Sequence, residues 1–169
     1  MKCLFDEQEI ESRNARLARD IAPRKPQVDL AVPILAGAFV FAADLLRALM
    51  REGLDLPVEF ISLTRYGAAR QGVDDIAVRM GAGEAARGKH VLLIDGVLDH
   101  GHTLARARTL LTEAGAASVT VVVAVDKARP DALLKADFAA FSDVDAFIVG
   151  YGMDDGGSGR GLPYIASVD

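Results

Sequence analysis

The sequence predicts an α/β protein in which a mainly parallel central sheet is covered by helices on both faces. Three observations lead there. Short apolar runs alternate with stretches of helical periodicity, the arrangement expected when buried parallel strands are joined by crossover helices. The stretch from His90 to Val125 reads as a complete strand–helix–strand unit. The 169 residues, 51% hydrophobic and 25% charged, are enough for one sizeable core, so residues 1–169 are read as a single domain.

Along the chain, Asp6 and Glu9 form a capping pattern, and Ile10, Leu17 and Ile21 share one face, which predicts an amphipathic helix over 7–22 ended by Pro23. After the linker Pro23-Arg24-Lys25-Pro26, Leu30 to Leu35 is an apolar strand, although Pro33 is an unusual strand residue. Ala36-Gly37 is its turn. Residues 39–51 return to helical spacing through Phe39, Ala43, Leu46 and Met50. Val58 to Leu63 is a second strand, Tyr66 to Asp75 a flap-like loop, and Ile76 to Met80 its returning strand. In the strand–helix–strand unit, Val91 to Ile94 is followed by a polar loop from Asp95 to Thr103. A helix then runs to Ala114, Gly115 stops it, and a strand spans Val119 to Val125. Residues 127–146 look irregular, Phe147 to Tyr151 is a short strand, and Asp155 to Gly161, with four of the chain's 16 glycines, is a mobile segment.

Composition narrows the function classes. Nineteen Lys and Arg against 24 Asp and Glu give a net charge of −5, without the basic excess that marks a nucleic-acid binder. The single cysteine, Cys3, cannot form an internal disulfide, and no Cys/His pattern has zinc-site spacing, so a reducing, cytoplasmic setting is expected. The longest uncharged stretch, Leu30 to Ala43, has 14 residues and is broken by Pro33 and Gly37. It is too short to span a bilayer, which takes about 20 residues. The acidic amino end has no signal-peptide pattern.

Chemistry concentrates in Asp95-Gly-Val-Leu-Asp-His-Gly-His-Thr103. A turn entering a helix presents unpaired backbone N–H groups to an anion, Gly101 allows close approach, and Thr103 adds a hydroxyl, so this is a candidate phosphate cradle. Asp95 and Asp99 could hold sugar hydroxyls, a hydrated magnesium ion or a proton in transfer. A plain capping loop with solvated acids is the competing reading. Neither a Walker A sequence nor a Rossmann glycine fingerprint lies between a strand and a helix.

The stretch Val91 to Leu104 resembles the phosphoribosyl-pyrophosphate (PRPP) motif of type I phosphoribosyltransferases. Val32 to Leu46, Phe60 to Gly67, Phe147-Ile-Val-Gly-Tyr-Gly-Met-Asp154 and Leu162-Pro-Tyr-Ile165 are similar, in order, to segments of the hypoxanthine-guanine phosphoribosyltransferase family. The resemblance implies the type I fold with a small hood built from both chain ends, and a homodimer or homotetramer. It further implies Mg²⁺-dependent transfer of a phosphoribosyl group from PRPP to N9 of a 6-oxopurine, with release of pyrophosphate. By the same resemblance Asp99 is the proton acceptor near purine N7, and His100, Gly101, His102 and Thr103 hold the 5′-phosphate. Asp95 faces the ribose and metal, Asp154 the metal, and Ala36, Gly37 and Arg160 the pyrophosphate. Lys135 reads the purine O6, Phe147 stacks on the base with the backbone of Ile148 beside it, and Tyr66 lies in the flap. Lys127 is expected to support the purine loop rather than touch substrate. The sequence departs from the family pattern at Gly96, where a second acid is usual, at Ala36, where Lys is common, at His100, where Thr or Ser is usual, and at Arg65, where Ser is usual. Two alternatives stay open: a PRPP- or nucleotide-binding sensor on the same fold, and a transferase preferring another base such as xanthine.

Overall fold

The computed structural model describes residues 1–65 and 76–168; the expected flap around Tyr66 lies outside them. A six-stranded sheet forms the body, in the order β4-β3-β2-β5-β6-β7, from β2 (Leu30–Leu35), β3 (Ile61–Arg65), β4 (Ile76–Met80), β5 (His90–Leu98), β6 (Ser118–Asp126) and β7 (Phe138–Ser142). All neighbours are parallel except the hairpin partners β3 and β4. The carboxyl ends of β2, β5 and β6 therefore point the same way, where ligands of open α/β sheets bind. A second sheet, β1 (Lys2–Phe5), β8 (Ile148–Val149) and β9 (Ile165–Ser167), runs in the order β1-β9-β8 and is antiparallel. The hood is thus made from the two chain ends, as the family resemblance implies.

The helices α1 (Glu7–Ile21), α2 (Phe39–Arg51) and α3 (His102–Glu113) cover the large sheet. On β5, Leu92 and Ile94 point into a core shared with Leu17, Ile21, Phe41 and Leu45 of α1 and α2. Val91 and Leu93 point the other way, onto Leu104, Ala107 and Leu111 of α3. This period of two buries both faces of the strand.

Several elements differ from expectation for physical reasons. Strand β5 continues through Leu98 because Asp95, Val97 and Leu98 pair with Val123, Val125 and Asp126; the expected nine-residue polar loop shrinks to Asp99–Gly101. β3 starts at Ile61, and Val58 makes only an isolated bridge to Ala31. Pro33 fits because Ala31, of the same parity, donates toward Pro57; the missing N–H of Pro33 falls in the ladder gap between Val58 and Ile61. The buried stripe of α2 is Phe41, Ala42, Leu45, Ala48 and Leu49. Phe39 and Met50, placed on the buried face by spacing alone, are exposed. β7 lies inside the stretch read as irregular, and the late strand is only Ile148–Val149.

Candidate active site

Local sequence leaves two helices open at their amino ends. α1 carries a complete capping box, with Asp6 Oδ1 accepting from Glu9 N–H at 2.9 Å and Glu9 Oε2 accepting from Asp6 N–H at 3.0 Å. α2 and α3 begin at Ala38 and Gly101, without a side-chain cap and without an acid in the first turn. Unpaired N–H groups and the positive end of the helix dipole make such termini receptive to anions. Gly101 has φ 82, a left-handed conformation that favours glycine. A cavity of about 460 Å³ is lined by Gly37 from the turn before α2, by Gly101 and Thr103 at the start of α3, and by Asp95 and Asp99.

Asp95, Val97 and Asp99 continue the parity of Val91 and Leu93 and line this cavity. Four steps of about 3.3 Å hold Asp95 and Asp99 about 13 Å apart along the backbone. The two carboxylates therefore address different parts of a long ligand rather than one ion. Burial pushes the Asp95 carboxyl up to about 7, against the hydrogen bond that Oδ1 accepts from Gly96 N–H at 2.8 Å. Partial burial would also raise Asp99, but hydrogen bonds and positive charge from Lys127 and Arg129 outweigh it and hold the carboxyl below its ordinary range. Lys127 Nζ is 3.2 Å from Asp99 Oδ2, and its side chain is only 8% exposed. Arg129 Nε contacts Oδ1. His100 Nδ1 lies 3.2 Å from the same Oδ1, with Nε2 3.7 Å from Asp131. The Nδ1 of His102 is buried without a hydrogen-bond partner among the described residues.

Of the residues singled out by sequence, Asp95, Asp99, His100, Gly101, His102, Thr103 and Gly37 line one cavity. Ala36 is exposed in the same turn. Lys135 is not brought to this group. It is exposed and does not line the cavity, although Leu133 N–H, two residues earlier, donates to the His100 carbonyl at 2.9 Å. The cation that reaches Asp99 is Lys127, expected to be only supportive, together with Arg129, which was not singled out. Their pairing with Asp99 spans 28 and 30 residues and has no local sequence signature. The available signal was the position of Lys127 directly after β6, at the functional end of the sheet. Phe147 is 54% exposed, whereas Ile148 is buried in the hood. Asp154 has both carboxylate oxygens engaged, Oδ1 by Arg160 Nη2 at 2.6 Å and Oδ2 by Gly157 N–H at 2.7 Å. Arg160 also donates to the Gly152 carbonyl at 2.8 Å. The segment expected to be mobile is thus tied down around Asp154.

Comparison with known proteins agrees with this geometry. Residues 2–155 match the model of the phosphoribosyl transferase domain. The chain is 32% identical to hypoxanthine phosphoribosyltransferase of Escherichia coli (strain K12), covering 99% of this chain and 95% of the relative. It is 34% identical to hypoxanthine-guanine phosphoribosyltransferase of Aquifex aeolicus (strain VF5), covering 100% and 95%. A solved structure of a variant hypoxanthine phosphoribosyltransferase from Trypanosoma cruzi, in a ternary substrates complex, superposes with TM-score 0.90 at 29% identity, covering 100% of this chain and 95% of that one. With a matching domain model, full-length relatives and the same arrangement in space, the chain belongs to the phosphoribosyltransferase family, among its hypoxanthine phosphoribosyltransferase-type enzymes.

Proposed function

We propose that this protein is a purine-salvage transferase that moves the 5-phosphoribosyl group of Mg²⁺-bound PRPP to N9 of hypoxanthine or guanine, giving IMP or GMP and pyrophosphate. The observation that carries the reading is the convergence of the uncapped α3 amino end and the turn before α2 on one cavity that also holds two separated carboxylates. PRPP has a phosphate at one end, a pyrophosphate at the other and a ribose between them. The α3 terminus, with Gly101, His102 and Thr103, suits the 5′-phosphate. The turn at Ala36-Gly37 before α2 suits the pyrophosphate, and Asp95 faces the ribose hydroxyls.

Magnesium usually keeps several waters and binds through one or two carboxylates plus substrate phosphates. Asp95 fits that demand, with one oxygen bonded to Gly96 N–H and its carboxyl lining the cavity. Asp154 keeps a free lone pair on each oxygen beside its bonds to Arg160 and Gly157 N–H, and is the second candidate. The ion would supply positive charge to the departing pyrophosphate.

The remaining steps fall to the protein. Asp99, kept ionised by Lys127 and Arg129, takes the proton from purine N7 as N9 bonds C1 of the ribose and the C1–O bond to pyrophosphate breaks. Lys127 takes the role that resemblance gave to Lys135, since a buried ammonium beside Asp99 favours an oxo over an amino group on the base. The exposed ring of Phe147 stacks on the purine beside the Ile148 backbone. The chain works as one domain in the cytoplasm, as a homodimer or homotetramer, and none of its described helices is long and apolar enough to cross a membrane.

The test is pyrophosphate release from PRPP and Mg²⁺ with hypoxanthine, guanine, xanthine and adenine in parallel, with Asp99→Asn as control. Activity on hypoxanthine or guanine that collapses in the variant supports salvage. Binding of PRPP without turnover of any base supports a sensor, and turnover of xanthine alone supports the other base preference.

A further inference from the structure

Gly96 departs from the two-acid pattern, and its surroundings give it a different task. It has the opposite parity to Asp95 and faces the α2 side of the sheet rather than the cavity acids. A Cβ placed there would stand 2.8 Å from the carbonyl oxygen of Gly37 and 3.2 Å from Met153 Cγ. A second glycine approaches the same oxygen. A Cβ on Gly152, which has φ 97, would stand 2.7 Å from it. Both distances are shorter than real Cβ contacts, and the neighbour is backbone, which cannot swing aside as a flexible side chain can. The Gly37 carbonyl therefore lies close against two glycines, one on β5 and one on the segment that leads to Asp154 and Arg160.

We propose that Gly96 and Gly152 are positioning residues that seat the Ala36-Gly37 turn, so that the backbone of this turn lies fixed beside the cavity. This rests on the reading of that turn as the pyrophosphate subsite. Position 96 is then a seat for a carbonyl rather than a missing carboxylate, and restoring an acid there displaces the turn. The turn lacks a lysine, so placement of its backbone matters more for the leaving group than it would if a cationic side chain could reach out and adapt. The clasp also links the turn to Arg160, because Arg160 bonds the Gly152 carbonyl. Displacement at position 96 should thus be felt at both proposed pyrophosphate contacts.

The experiment compares wild type with Gly96→Ala, Gly96→Asp and Gly152→Ala. Amide hydrogen exchange of ligand-free protein is read over 35–39, and Mg²⁺-pyrophosphate affinity is measured by calorimetry. Gly81→Ala is the control, because it lies outside the cavity lining and a Cβ there meets only ordinary contacts, 3.7 Å from Val78 Cγ1. Gly96→Ala is expected to raise exchange in the turn while leaving 101–113 unchanged, and to weaken pyrophosphate about tenfold or more. Gly96→Asp should do no better. Gly152→Ala presses on the same carbonyl and decides the matter if the Gly96 variants do not fold. Unchanged exchange in the turn, or tighter pyrophosphate binding by Gly96→Asp, overturns the proposal. If wild type binds no pyrophosphate yet exchange rises in the variants, the clasp stands and the subsite reading fails.

Discussion

Asp95→Asn should stabilise the protein at pH 8 and much less at pH 4.5. The Asp95 carboxyl is raised from 3.8 to about 7 by burial. Below pH 4 it is protonated in the folded and unfolded chain alike and costs nothing. Between about 4 and 7 the unfolded chain releases the proton while the folded chain keeps it, so stability falls as pH rises, and above that range the full cost is present. At about 1.4 kcal/mol for each tenfold change, the ceiling is about 4 kcal/mol. The carboxyl lines an open cavity, and allowing for water on that side leaves about 2 kcal/mol at pH 8 and about a quarter of that at pH 4.5. For a domain of this size the gain at pH 8 corresponds to about 4 to 8 °C in Tm. Asparagine keeps an oxygen for Gly96 N–H, so the hydrogen bond survives. Thermal unfolding of both proteins without ligand and with EDTA, at the two pH values, provides the check. An equal shift at both, or a lower Tm for the variant at pH 8, refutes the reasoning. Such a variant should be stable but defective in transfer, the trade expected where a carboxylate is held against its own solvation.

Two further outcomes follow from the same geometry. Lys127→Met removes a charge-assisted hydrogen bond worth about 2 to 3 kcal/mol and should lower kcat/KM for hypoxanthine about 100-fold; Lys135→Ala should stay within about twofold, and steady-state kinetics of the pair decide between the two lysines. Tyr151→Phe removes the hydroxyl that accepts from Asn14 Nδ2 at 2.7 Å and donates to Asp44 at 2.8 Å. It should cost about 2 kcal/mol, read as a lower urea midpoint at unchanged m.

What was legible in the sequence had local causes. β2, α2 and β4 have the bounds expected from apolar runs and their turn residues, and the cavity-lining stretch from Asp99 to Thr103 was readable because it is contiguous. What was missed depends on partners distant in the chain. The end of β5 looked like loop because Asp95 and Gly96 are polar or flexible, but pairing with Val123 and Val125 keeps it in the sheet. β7, with two alanines among five residues, gains its strand character from the neighbouring β6. The face of α2 was misassigned because apolar residues occupy more than one stripe, and only the position of the sheet selects Phe41 and Leu45. Lys127 and Arg129 meet Asp99 through strand order, which no spacing rule reveals. The clasp around Gly37 joins glycines far apart in sequence and is visible only in space.

The hood has a consequence for biosynthesis. Lys2 and Cys3 of β1 pair with Ser167 and Ala166 of β9, and β9 lies between β1 and β8. During vectorial translation the first strand therefore emerges with its hydrogen-bonding partner not yet made, while the strands and helices of the six-stranded sheet become available in order. Phe147 precedes β8 and Ile148 begins it, and this strand acquires its neighbour only when residues 165–167 arrive. Residues 165–167 thus complete the hood beside Phe147 and Ile148 only after every strand of the six-stranded sheet has been made.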